Sequence, residues 1–106
     1  MTAREIIERV KRKLTETYGD QLVEVVVYGS EARGDAAEDS DLDLLIVLRK
    51  DLEDAGGLRE LIDAVYLVQM ESGFFRPIHV VPVSEDEFRA RKFALYRNAA
   101  AEGLSV

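Results

Sequence analysis

Several residue types that build common functional sites are absent or scarce in this 106-residue sequence. It contains no cysteine, which excludes disulfide bonds, thiolate zinc sites and a cysteine nucleophile. Its single histidine is His79. No apolar run approaches the ~20 residues needed to cross a bilayer, and the charged first residues do not resemble a signal peptide. We therefore expect a cytoplasmic protein that does not associate with membranes.

Positive charge is outnumbered, with 14 basic against 21 acidic residues and a net charge of −7. Binding to nucleic-acid phosphates relies on Lys and Arg, so we expect no direct polynucleotide binding. Within residues 31–43, one arginine, Arg33, stands among six acids: Glu31, Asp35, Glu38, Asp39, Asp41 and Asp43. An acidic run is usually a solvated loop, but this one lies between two apolar segments, where strand ends can form a site.

The chain length predicts a single domain over residues 1–106, because one core normally takes up roughly 100–200 residues. Hydrophobic periodicity predicts the following order of elements: a first helix (2–18), a buried strand (22–28), a polar loop (29–40), a second strand (42–48), a helix (58–72), a third strand (78–83) and a last helix (84–102). Pro82 cannot donate to a strand ladder, which favours a sheet edge for the third strand. Tyr66 and Met70 are interpreted as core residues. The order α-β-β-α-β-α predicts an α/β fold with a three- to four-stranded mixed sheet covered by helices.

Asp41 and Asp43 stand at the entry of the second predicted strand. Alternate residues of a strand point to the same face, so the two carboxylates should project side by side. Carboxylates held so close repel each other unless a cation lies between them, and oxygen ligands favour Mg²⁺. The pair is therefore a predicted metal site, and a solvent-exposed strand entry is the alternative.

Gly29 and Ser30 directly follow the first predicted strand. A glycine lets backbone N–H groups approach a phosphate closely, and we expect a helical turn near Ser30. The alternative is an ordinary turn. A phosphate-binding turn and a metal pair on adjacent strand ends together indicate metal-assisted phosphoryl or nucleotidyl transfer.

The pattern G-S-x-A-R-G from Gly29 to Gly34, followed by S-D-x-D from Ser40 to Asp43, resembles a known signature. It is similar to the DNA polymerase β-type nucleotidyltransferase superfamily and, within it, to the minimal nucleotidyltransferases (MNT proteins). The resemblance implies transfer of a nucleoside monophosphate from a nucleoside triphosphate such as ATP to a hydroxyl group, with release of pyrophosphate.

The resemblance also assigns roles to residues. Gly29 and Ser30 would hold the nucleotide phosphates, while Asp41 and Asp43 would be catalytic and would bind Mg²⁺. Arg33 would contact the triphosphate or a partner, with a salt bridge inside the acidic loop as the alternative.

Minimal members commonly act with a helical HEPN-type protein as the antitoxin of a toxin–antitoxin pair, which implies a homo- or hetero-oligomer. Phe74, Phe75 and the last helix are the expected contact surfaces. A catalytically impaired binding module that neutralises its partner by complex formation is the alternative function. Modification of a small molecule, as in aminoglycoside nucleotidyltransferases, is disfavoured because those enzymes generally carry an added helical domain.

The sequence departs from the family pattern on the third strand, where His79 stands in place of the usual third carboxylate. A histidine ligand would favour softer ions than Mg²⁺, Mn²⁺ among them. His79 could also act as a general base, or it could be a polar strand residue without a catalytic role. Glu71 and Glu85 flank this strand, but their spacing does not distinguish them as substitutes.

Overall fold

The computed structural model describes residues 1–37, 40–74 and 76–106. Glu38 and Asp39 of the acidic run and Phe75 of the expected contact surface therefore lie outside the described residues. A single 3₁₀ turn, Gly19–Gln21, follows the first helix. In chain order the other elements are α1 (Ala3–Tyr18), β1 (Leu22–Tyr28), α2 (Ser30–Arg33), β2 (Leu42–Leu48), α3 (Leu58–Glu71), β3 (Ile78–Ser84), α4 (Glu85–Ala90), α5 (Ala94–Glu102) and β4 (Leu104–Ser105).

The four strands form one mixed sheet in the order β3-β2-β1-β4. β1 pairs antiparallel with both β2 and β4, whereas β2 and β3 run parallel. Pro82 lies on β3, an edge strand, as its missing N–H predicted. The predicted α/β fold with a three- to four-stranded mixed sheet is confirmed. The C-terminal end of β1 therefore lies at the same end of the sheet as the first residues of β2 and β3.

Helices cover both faces of the sheet. On one face, the apolar stripe of α1 and the inner side of α3 pack against even-numbered residues of β2, such as Leu44 and Ile46. On the other face, Phe88 of α4 and Ala99 of α5 pack against Leu45 and Val47. Among the described residues, no helix has both the length and the apolar character that a membrane crossing requires.

The helix α1 follows its sequence signals closely. The Thr2 hydroxyl accepts a hydrogen bond from the Glu5 N–H at 3.2 Å, which caps the first turn. Gly19 ends the helix with φ of 55°. Ile6, Val10 and Leu14 are fully buried, as their four-residue spacing predicted.

The prediction of one continuous last helix is wrong, because the chain forms α4 and α5 with a break between them. Arg91 adopts a left-handed conformation with φ of 50°, which ends α4. The Arg97 guanidinium then donates hydrogen bonds to the carbonyl oxygens of Arg91 and Lys92, at 3.1 and 3.2 Å. These bonds tie the start of α5 to the residues that follow α4. The two-residue strand β4 follows α5 and was not predicted.

The interpretation of Tyr66 and Met70 as core residues is also wrong. Their exposed fractions are 53% and 51%. The side of α3 that faces the core consists of Leu61, Ala64, Val65 and Val68. The helix is apolar on both sides, so periodicity alone could not show which side is buried.

Candidate active site

The predicted site residues converge where β1 ends and where β2 and β3 begin. The strand register places Tyr28 of β1 opposite Asp43 of β2, and Asp43 opposite His79 of β3. Because side chains alternate along a strand, these three form a row on the sheet face that α4 and α5 cover further along. We call this row, Tyr28–Asp43–His79, the site row.

Gly29 brings the turn after β1 into contact with the site row. Its φ is 73°, and a Cβ atom built there would lie 2.5 Å from Oδ2 and 3.3 Å from Cγ of Asp43. Any larger residue would therefore displace the carboxylate as well as strain the backbone. Ser30 follows as the first residue of α2, which confirms the expected helical turn.

The two carboxylates of the predicted metal pair lie at the start of β2. Asp41 is exposed and precedes the strand by one residue, while the Asp43 side chain is 26% exposed. The N–H of Leu42, between them, donates to the Pro77 carbonyl at 2.8 Å, which fixes the start of β2 against the start of β3. Two oxygen donors on one strand entry fit a hard divalent cation that completes its coordination with substrate phosphates.

His79 lies beside Asp43, with 3.5 Å between its Nδ1 and the Asp43 Oδ1. Its side chain is 68% exposed, so a substrate or an ion can reach the imidazole from solvent. Glu71 and Glu85 do not join the site row, because they pair with Arg9 at 2.9 Å and with Arg89 at 3.1 Å. Within the ranges that the structure describes, no three His, Asp or Glu side chains form a group able to hold a metal ion. The described part of the site therefore pairs Asp43 with the His79 imidazole and leaves Asp41 exposed one residue before β2, without a three-ligand cluster.

Arg33 forms an ion pair inside the acidic loop. Its Nε lies 3.3 Å from Oδ2 of Asp35, and both side chains are at least half exposed. This geometry corresponds to the salt bridge that the sequence left as an alternative. Exposed pairs of this kind contribute little to stability, so the pair does not prevent Arg33 from reaching an anion. A contact of Arg33 with a triphosphate stays a prediction.

Tyr28 has an environment that keeps its phenol protonated. Burial raises the pKa of Tyr28, and the neighbouring Asp43 charge raises it further. The ring also packs against the core cluster on this face of the sheet. Tyr28 is thus a packing residue on the sheet face that α4 and α5 cover.

Arg76 links the segments that carry the site, and the sequence reasoning missed it. It is a buried charged residue, only 5% exposed. Its Nε–H donates to the Ser40 carbonyl at 2.7 Å, and its Nη2 donates to Oε2 of Glu31 at 3.0 Å. One guanidinium therefore joins α2, the residue before Asp41 and the entry of β3. The excess of acids in residues 31–43 was a signal that a distant basic residue compensates them, but it did not identify which one.

A cleft of about 440 Å³ lies beside the turn, lined by α1, β1, α2 and the chain end. Neither this cleft nor the other three described clefts are lined by Asp41, Asp43 or His79. The side chains of Asp41 and His79 are nevertheless exposed, so an acceptor can reach them from solvent.

A glycine turn against a carboxylate at the entry of the next strand, on a mixed sheet, defines a nucleotidyltransferase fold. The chain belongs to the nucleotidyltransferase domain family, whose pattern it matches over residues 3–101. The resemblance noted in the sequence is thereby confirmed.

Three similar proteins of Methanocaldococcus jannaschii are named as candidate protein adenylyltransferases. MJ0604 is 28% identical over 104 residues, which cover 97% of this chain and 96% of that protein. MJ1305 is 39% identical over 44 residues, or 42% of this chain and 30% of its own length. MJ0141 is 41% identical over 46 residues, or 43% of this chain and 46% of its own length. The chain thus matches less than half the length of the latter two relatives.

Solved structures share the fold. A structure described as a candidate minimal nucleotidyltransferase is 26% identical with a TM-score of 0.59, covering 100% of this chain and 97% of that chain. The spectinomycin adenyltransferase AAD(9) of Enterococcus faecialis, solved with ATP and spectinomycin, is 22% identical with a TM-score of 0.66. The match covers 82% of this chain and 36% of the AAD(9) chain. This chain corresponds in extent to the minimal protein and to only part of the antibiotic-modifying one.

Proposed function

We propose that this protein transfers a nucleoside monophosphate from a nucleoside triphosphate, with ATP as donor, to a hydroxyl group on a protein. The contact between the Gly29 turn and the Asp43 carboxylate is the observation that carries the proposal, because it brings a phosphate-binding backbone and a metal-binding oxygen together. The relatives named as candidate protein adenylyltransferases support AMP as the transferred group and a protein as the acceptor.

Asp41 and Asp43 would hold Mg²⁺, or Mn²⁺ in its place, since both offer carboxylate oxygens at one strand entry. A divalent ion bound there would neutralise phosphate charge and polarise the α-phosphorus. Gly29 and Ser30 would bind phosphate oxygens through their backbone N–H groups and the Ser30 hydroxyl. Arg33 would exchange its exposed partner Asp35 for the triphosphate.

In the proposed reaction, the acceptor oxygen forms a bond to the α-phosphorus while the bond to the bridging oxygen breaks. Pyrophosphate leaves with that electron pair, and the hydroxyl proton passes to a base. We assign this role to His79, and its exposed imidazole 3.5 Å from the Asp43 carboxylate, which would orient it, supports the assignment.

The acceptor in this proposal is a helical HEPN-type partner, and the chain acts as the antitoxin of the pair. The exposure of the Asp41 and His79 side chains supports an acceptor that brings its own surface, because both are open to solvent. A large protein acceptor can cover such a surface and exclude water from it.

The mass of the partner tests this proposal. The product of the adjacent gene, which this proposal expects to be a HEPN-type protein, is incubated with ATP, Mg²⁺ and the chain, and its intact mass is measured. We expect the gain of one AMP unit with the wild-type chain and with Asp51→Asn, an exposed acid outside the site. Asp43→Asn should give no gain. An unmodified partner with the wild-type chain would contradict the proposed activity.

A binding module without catalysis is the second proposal, and His79 in place of a third carboxylate is the observation that favours it. In that case wild-type and Asp43→Asn chains should neutralise the partner equally, without any change in its mass. Neutralisation that requires both ATP and Asp43 would exclude the binding module.

A further inference from the structure

An apolar stripe runs along the outer side of α3. Of the ten large apolar side chains that are exposed among the described residues, six belong to α3 or to the turn that ends it. Five recur every fourth residue and form what we call the α3 stripe: Leu58, Ile62, Tyr66, Met70 and Phe74. Leu67 borders it. Residues four apart are neighbours on a helix surface, so the stripe is continuous.

The end of α3 extends the stripe by one aromatic ring. The Phe74 N–H donates to the Gln69 carbonyl at 2.9 Å, and the Gly73 N–H donates to the Met70 carbonyl at 3.0 Å. These two bonds form a Schellman motif. Phe74 has φ of 57°, an uncommon conformation for a residue with a side chain, and its ring centroid lies 5.7 Å from that of Tyr66. The turn thus holds an exposed aromatic ring against the middle of the stripe.

Two ion pairs lie beside the stripe. Arg59 and Asp63 lie 3.9 Å apart on α3, and Arg9 of α1 pairs with Glu71 at 2.9 Å. On a chain with a net charge of −7, such a region allows two copies to approach with little electrostatic repulsion. These two ion pairs carry no net charge that would attract a strongly charged partner.

The area of the stripe matches what a small, stable dimer needs. Six half-exposed side chains of this size present about 600 Å², the upper end for a patch on a monomer. Two copies would bury about 1,200 Å² in total, which is where specific interfaces begin.

The spacing is also self-complementary. A two-fold axis at Tyr66 places Ile62 opposite Met70, so the residues on either side of the axis meet apolar partners. Rows of residues four apart interdigitate when two helices cross at about 50°.

We propose that the α3 stripe is the interface of a homodimer with a two-fold axis at Tyr66. The interface is isologous, so each copy contributes the same surface. This inference does not depend on the proposed nucleotidyl transfer.

Sedimentation equilibrium and cysteine crosslinking test the interface. We expect the wild-type chain of 11.9 kDa to form a dimer with a Kd of about 10 µM or tighter. Tyr66→Glu should weaken association at least about 100-fold, because it places two carboxylates at the axis. Phe93→Glu, at an equally exposed aromatic residue outside α3, should leave the dimer intact. Circular dichroism melting of each variant separates dissociation from unfolding.

Because the chain has no cysteine, single substitutions report proximity directly. Tyr66→Cys should form a disulfide-linked dimer under mild oxidation, and Phe93→Cys should not. A wild-type chain that is monomeric at about 100 µM would overturn the proposal. A dimer that survives Tyr66→Glu, or equal crosslinking by both cysteine variants, would also overturn it. These outcomes would leave the α3 stripe as a surface for a different protein rather than for a second copy.

Discussion

Replacing Arg76 with alanine should destabilise the protein more than replacing any exposed arginine. The substitution removes the hydrogen bonds to the Ser40 carbonyl and the Glu31 carboxylate, at 2.7 and 3.0 Å. Breaking a buried ion pair costs about 3–5 kcal/mol. The Glu31 side chain is 25% exposed, so water can partly replace the lost donor, and we expect the lower end, about 3 kcal/mol. For a domain of this size that lowers Tm by about 12 °C.

Arg97 provides a matched control. It also donates two hydrogen bonds to the chain, to the Arg91 and Lys92 carbonyls, but it is exposed. Arg97→Ala should cost about 1 kcal/mol or less, because water replaces the lost donors. Thermal unfolding followed by circular dichroism measures both variants. Equal melting temperatures for Arg76→Ala and Arg97→Ala would refute the argument from burial.

The same arginine should also affect the site. Arg76→Lys keeps the charge, but an ammonium lacks the planar fork that reaches both acceptors. We expect an intermediate Tm and, with the protein still folded, weaker Mn²⁺ binding at Asp41 and Asp43, measured by electron paramagnetic resonance. Unchanged Mn²⁺ affinity would show that Arg76 stabilises the fold without positioning the site.

Two further predictions concern His79 of the site row and Gly29, whose turn contacts that row. Gly29→Ala should abolish ATP binding measured by calorimetry, because the new Cβ would meet the Asp43 carboxylate at 2.5 Å. The control Gly34→Ala, at a glycine with φ of 80° and no atom within 4 Å of the new Cβ, should only lower Tm. Equal effects of the two substitutions on ATP binding would show that the contact with Asp43 is unimportant. His79→Ala should slow transfer because it removes the proposed base, and His79→Asp, which restores a carboxylate base, should retain more activity with Mg²⁺ than His79→Ala. If neither His79 variant alters the rate or the metal preference, His79 has no role in the reaction.

The site row could be predicted from the sequence because its signals are local. Strand alternation predicted Asp41 and Asp43 together, although Asp41 lies one residue before β2, and Gly29 directly follows a strand of β-branched residues. The strand register then brought His79 next to Asp43, as the predicted position on the third strand required.

Features that depend on tertiary contacts could not be predicted in the same way. The Arg76–Glu31 pair joins residues 45 positions apart, and only the assembled sheet brings them together. The break at Arg91 has no glycine or proline to announce it, and β4 is too short to show a pattern. The two apolar sides of α3 left the choice of the buried side to the packing against α1 and the sheet.

Calorimetric titration of ATP into the protein, with and without Mg²⁺, tests most directly whether Asp41 and Asp43 form a metal-dependent nucleotide site. We expect wild-type and Asp51→Asn proteins to bind ATP with Mg²⁺, and the double variant Asp41→Asn/Asp43→Asn to bind at least about tenfold more weakly while melting at a similar temperature. ATP binding that is independent of Mg²⁺, or equal in the wild type and the double variant, would contradict the account.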